Sequence, residues 1–158
     1  MTTALTNANV TLFDTGETAG DNIWLDRVNS AFTFLDRQAL TYFTYALSDE
    51  TSDLSTGTSV LTVRMPFKME LTAVRASVTT APTGSSIIVD INEGGSTILS
   101  TKLSIDATEK TSTSAATPAV ISDSTLADDA EITFDIDQVG STIAGAGLKV
   151  TLIGYVTT

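Results

Sequence analysis

The 158-residue chain contains no cysteine and no histidine. The first absence removes disulfides, thiolate nucleophiles and cysteine-based metal sites. The second removes the usual general base near neutral pH and the commonest metal ligand. Catalysis would have to rest on carboxylates, lysine, hydroxyls and tyrosine alone, so the expectation is a protein that is not an enzyme. Cations are also scarce: 8 Lys and Arg stand against 19 Asp and Glu, for a formal net charge of -11. Nucleic acid and anionic membrane surfaces are themselves negative, so this balance argues against both as partners. The basic residues are scattered along the chain rather than gathered in a stripe. No stretch approaches the roughly 20 apolar residues that a membrane helix needs. Met1-Thr2-Thr3-Ala4-Leu5-Thr6 lacks the basic and apolar pattern of a secretory leader, which points to synthesis in a cytoplasm.

What is present is a β-rich body. From about residue 41 onward Thr, Ser, Val and Ile dominate, with turn residues at intervals of about ten, the spacing of short strands in a sandwich or barrel. The runs 58–65 and 71–78 are rich in β-branched residues. Ala81-Pro82-Thr83-Gly84 reads as a turn. In 86–92, Ile87, Val89 and Ile91 share one strand face while Ile88, Asp90 and Asn92 share the other. Gly94-Gly95 then signals a hairpin, with 97–100 returning. The cleanest alternation is 131–137, where Ile132, Phe134 and Ile136 should face a core and Glu131, Thr133, Asp135 and Asp137 should face outward. A last strand spans 148–156. The Ser/Thr/Ala stretch 107–118 reads as a long loop or an edge segment. These features predict about eight strands and no helix in this half.

The first 40 residues differ. Seven of the ten aromatics lie within residues 1–45. Val10-Thr11-Leu12-Phe13 reads as a short strand before Asp14-Thr15-Gly16. Trp24, Val28, Ala31 or Phe32, Leu35 and Ala39 fit helical spacing with Asp21 as a candidate cap, whereas Asn29, Ser30 and the Phe32-Thr33-Phe34 alternation oppose it. Aromatic-rich segments anchor interfaces, and forty extended residues reach about 130 Å. Two readings stay open: an interaction arm at 1–40 beside a sandwich domain at 41–158, or aromatics that complete the domain's own core.

Two carboxylate groupings are candidates for chemistry. Asp135 and Asp137 stand two apart on one strand face, about 7 Å between β-carbons, which suits a glycosidase pair in principle. The solvated face of an amphipathic strand is the preferred reading, since nothing in the sequence supplies the apolar pocket that would raise one carboxyl. Asp123, Asp128, Asp129 and Glu131 form an oxygen-rich cluster, but their spacing fits no calcium loop, so a solvated turn is preferred. No catalytic residue, metal or cofactor is expected. A glycan platform is also poorly supplied, because only Phe67, Phe134 and Tyr155 remain as aromatics beyond residue 45.

The stretch Arg64-Met65-Pro66-Phe67-Lys68-Met69-Glu70-Leu71-Thr72-Ala73-Val74-Arg75, continuing to Gly84 and then Ile88-Val89-Asp90-Ile91-Asn92, resembles virion proteins of tailed bacteriophages. The runs 130–140 and 147–154 are similar to the same group, so the resemblance covers about residues 57–156. It implies a jelly-roll-like antiparallel β-sandwich of about eight strands, displayed on a virion as a homotrimer. It further implies a capsid decoration or cement protein on the outer capsid surface, with the major capsid protein and copies of itself as partners. Similar domains in phage tails and fibres leave a tail, fibre or host-glycan recognition module as the alternative. Terminal extensions in this group attach the domain to its assembly, which makes Trp24, Phe32 and Phe34 the candidate contact residues.

Overall fold

The structure is a computed structural model, and it describes residues 6–7, 10–11 and 40–157. The chain divides into two units, Met1–Ala39 and Leu40–Thr158. In the first, β1 (Thr6–Asn7) and β2 (Val10–Thr11) pair antiparallel. The helical or alternating segment weighed for residues 21–39 lies outside the described residues, as do Trp24, Phe32 and Phe34.

The second unit carries β3 (Leu40–Ala46), β4 (Gly57–Arg64), β5 (Met69–Ser77) and β6 (Ile87–Glu93). The short strands β7 (Ser96–Thr97), β8 (Leu99–Thr101), β9 (Leu103–Ile105), β10 (Val120–Ile121) and β11 (Thr125–Leu126) follow. Two long strands, β12 (Glu131–Gln138) and β13 (Lys149–Val156), close the chain. One sheet has the order β11-β5-β13-β3, the other β4-β12-β6-β7 with β9 also pairing β6, and β8 pairs β10 separately. Every pairing is antiparallel.

The pairs are nested. β6 pairs β9 at the centre, β5 pairs β11 outside it, then β4 pairs β12, and finally β3 pairs β13. Outside that central pair, successive members of this series alternate between the two sheets. One long folded hairpin wound across two layers is the jelly roll, so the unit is an all-β jelly-roll sandwich.

Strand alternation explains the core. Ile87, Val89, Ile91, Ile132, Phe134 and Ile136 from one sheet meet Met69, Leu71, Ala76, Val150 and Leu152 from the other. Phe134 is fully buried, and the Tyr45 ring lies against it at 5.5 Å between centroids, tilted by 49°, an arrangement favoured by ring quadrupoles. Burial raises the Tyr45 phenol above its ordinary value. Gly94 and Gly95 turn β6 back into β7 at φ 56 and 86, values a β-carbon disfavours. The stretch 107–118 is a loop with one short turn of 3-10 helix (Ser112–Ser114), capped by the Thr111 hydroxyl.

Candidate interaction surface

A jelly roll leaves sheet edges, and exposed edges pair with other chains unless they are short, bulged or charged. Two devices of that kind are visible here. β11 has two residues, β7 two and β9 three. β4 is longer, but its pairing with β12 shifts register between Phe134 and Ile136. Ser59 beside that irregularity sits at φ 50, and its N–H donates to Asp135 Oδ1 at 2.6 Å. Asp135 therefore fastens a distortion that spoils the β4 edge.

β3 has none of these protections. Its seven residues, Leu-Thr-Tyr-Phe-Thr-Tyr-Ala, pair with β13 in unbroken register from Ala46↔Lys149 to Leu40↔Tyr155. The opposite edge of β3 has no strand beside it among the described residues. The sequence carries no charge, proline or glycine, and is dense in β-favouring residues. Phe43 and Tyr45 point inward, while Leu40 and Tyr42 point outward and are 58% and 69% exposed. The register sets Tyr42 beside Ile153 and Leu40 beside Tyr155, making an apolar strip on the outer face. No carboxylate lies on β3 or β13, although the whole chain has 19. Lys149 closes one end of the strip, ion-paired with Glu50. Hydrogen bonds from Lys149 and then from the Thr79 hydroxyl hold the Glu50 carboxyl below its ordinary value.

The outer face of the other sheet is its opposite, a polar network. Lys102 Nζ reaches Asp137 Oδ2 at 2.6 Å and Asp90 Oδ2 at 2.9 Å. The hydrogen bonds to Asp137 and then Asp90 push the Lys102 ammonium above its ordinary value, keeping it charged. Thr97 Oγ1 donates to Asp90 Oδ1 at 2.5 Å, and Asn92 Nδ2 donates to Asp135 Oδ2 at 3.0 Å. Asp90 and Asn92 are buried although they face away from the core, because Thr97 and Lys102 cover Asp90 and the neighbouring Asp135 side chain binds Asn92.

The candidate glycosidase pair is thus spoken for by other groups. Asp135 receives Ser59 and Asn92, and Asp137 receives Lys102; the pair's own side chains have structural partners rather than an open cleft. The cluster at Asp123, Asp128, Asp129 and Glu131 is likewise spread over separate tasks. Asp123 accepts from the Thr125 N–H, the Asp129 carbonyl accepts from Arg64, and Glu131 forms an ion pair with Arg64 at 3.2 Å. Among the described residues no three acidic side chains converge on a metal-sized space.

By sequence, Tyr42, Phe43 and Tyr45 group with the aromatic-rich N-terminal segment, and no polarity pattern singles out β3. The signal was present in 40–46, where Thr41, Phe43 and Tyr45 alternate with Leu40, Tyr42 and Thr44. Both sets are apolar enough that alternation of polarity does not reveal the strand. No family model, curated protein or solved structure matches the chain.

Proposed function

We propose that this chain is a structural virion protein of a tailed bacteriophage, a decoration or cement protein that bridges neighbouring subunits on the outer capsid surface. The observation that carries the reading is the asymmetry of the sandwich edges: β4 is distorted, β7, β9 and β11 are short, and β3 is long, unbroken and apolar. A protein that works by contact needs a sticky edge on a largely solvated surface. The acid-free strip on β3 and β13 supplies the first, and the net charge of -11 supplies the second. The sequence resemblance across 57–156 points the same way. Covering the strip by the major capsid protein or by another copy would stabilise a shell through buried apolar area, at about 25 cal/mol per Å² before ordering costs.

The test is cross-linking of purified particles that contain the protein, read by mass spectrometry. Lys68 and Lys149 flank the sheet carrying the strip. They should link to the major shell protein and to other copies, and Tyr42→Lys should abolish incorporation while the isolated chain still melts cooperatively. Links confined to tail or fibre proteins would overturn the capsid assignment.

A further inference from the structure

The edge of β5 opposite β13 is only partly covered. At one end β11 pairs with Met69 and Glu70, and the Leu71 N–H donates to the Ser124 carbonyl at 2.7 Å. At the other end Ser77 bridges Thr111, the Ala76 N–H donates to Ser112 Oγ at 2.8 Å, and the Val78 N–H donates to the Lys110 carbonyl at 3.0 Å. Between them Thr72–Arg75 is hydrogen-bonded to no strand on this side among the described residues, and β10 faces it across the gap. In a strand, the N–H and C=O of one residue point to the same side and alternate along the chain. Val78 and Ala76 already face this edge, so Val74 is the next residue to present both groups there. The register shift of β5 against β13 between Ile153 and Gly154 absorbs the change of phase before Leu71.

This gap is the wall of a groove of about 600 Å³. Its lining includes apolar Leu103, Ala119 and Ile121, the hydroxyl-bearing Ser112 and Thr113, and one charged side chain, Arg75. We propose that the groove is a strand-addition site, in which an extended peptide of a partner protein pairs with the backbone of Thr72–Arg75. Small apolar side chains of that peptide sit over Leu103 and Ile121, and an adjacent carboxylate meets Arg75. Three features select this occupant. An unpaired stretch of strand asks for backbone groups, which a peptide supplies in register. Apolar lining asks for side chains rather than a hydrated ligand. The single guanidinium, on a chain otherwise rich in carboxylates, selects an anionic group. The site is on the opposite edge of the four-stranded sheet from β3, so it stands independently of the capsid reading.

The experiment uses the full chain and the synthetic peptide acetyl-Thr-Val-Asp-Val-amide, with amide NMR and hydrogen exchange as readouts. Without peptide, the Val74 amide should exchange at least tenfold faster than those of Ala76 and Val78. With peptide, shifts should concentrate at residues 72–75 and 103, and Val74 exchange should slow at least tenfold. Peptides N-methylated at alternate positions give a strand-specific signature: methylation in one frame abolishes binding and in the other leaves it. Asp→Asn in the peptide, or Arg75→Gln in the protein, should weaken binding about five- to tenfold. The proposal is overturned if Val74 is already as protected as Ala76, or if both N-methyl frames behave alike. It is equally overturned if a neutral oligosaccharide such as maltohexaose, and not the peptide, produces the shifts, which would make the groove a glycan cleft.

Discussion

Removal of the Lys102 ammonium leaves a buried carboxylate short of a partner, and the consequence can be worked from the geometry. The Asp90 side chain is 8% exposed and the Lys102 side chain 45% exposed, at 2.9 Å. Breaking a wholly buried pair costs about 3–5 kcal/mol. Here water reaches the lysine, so the figure is discounted to about 1–2 kcal/mol. Asp90 keeps the Thr97 hydroxyl and the Ile91 N–H on Oδ1, which limits the loss to Oδ2. Lys102→Met should therefore lower the urea midpoint at pH 7 by roughly 0.5–1 M, given a slope of about 2 kcal/mol per M. Asp90→Asn retains the Oδ1 acceptor but turns an amide donor toward the ammonium, and should cost a similar amount. In the double variant the mismatch disappears, so the two changes should be less than additive by about 1 kcal/mol. The Lys102 pKa is raised on folding, so its contribution is complete below its ordinary value of 10.5 and is lost only as pH climbs through the higher folded value. Coupling measured at pH 7 thus reports the intact pair. Strict additivity in the cycle, or a Lys102→Met midpoint equal to wild type, would refute the reasoning.

Gly154 on β13 lies tight against the β5 backbone at Glu70 and Leu71. A β-carbon there would lie 2.1 Å from the Glu70 carbonyl oxygen, whereas one at Gly95 would meet nothing within 4 Å. Gly154→Ala should destabilise by about 2–3 kcal/mol through displacement of β5, and Gly95→Ala by about 1 kcal/mol through its positive φ alone; equal midpoints in urea would contradict the steric account. The Glu70 carboxyl is held below its ordinary 4.5 by the Ser124 hydroxyl and then the Thr125 hydroxyl, a link between β5 and β11. A depressed carboxyl stabilises the fold above its unfolded value and stops doing so as pH falls through the folded one. Thermal midpoints should therefore drop more steeply below pH 4.5 for wild type than for Glu70→Gln, and parallel curves would show that this contact is not part of the acid response.

The strands that the sequence reveals are those with one wet and one dry face. Glu131–Gln138 alternates so cleanly that Ile132, Phe134 and Ile136 are assigned to the core by period alone, and all three are buried. Ile87, Val89 and Ile91 follow the same logic. The return after Gly94-Gly95 was expected as one strand over 97–100. It is instead divided between β7, which does return along β6, and β8, which turns to β10, while the next strand, β9, pairs β6 again. A local pattern cannot announce such a change of partner, since pairing depends on which strand arrives from far along the chain. Leu40–Ala46 gives no such signal because it carries apolar residues on both faces, which removes the period-2 pattern.

By itself, the sequence determined the all-β class, the inward faces of 86–92 and 131–137 and the acidic balance of charge, because these follow from residue type and spacing. The tertiary structure decided what each residue is for. Asp135 becomes the fastener of a distorted edge and Asp90 a buried partner of Lys102, while β3 becomes the border of a sheet among the described residues and Thr72–Arg75 the wall of a groove. The physical reason is that edges, gaps and ion pairs are relations between segments tens of residues apart. The nested pairing of a jelly roll creates them only when the whole hairpin has been wound.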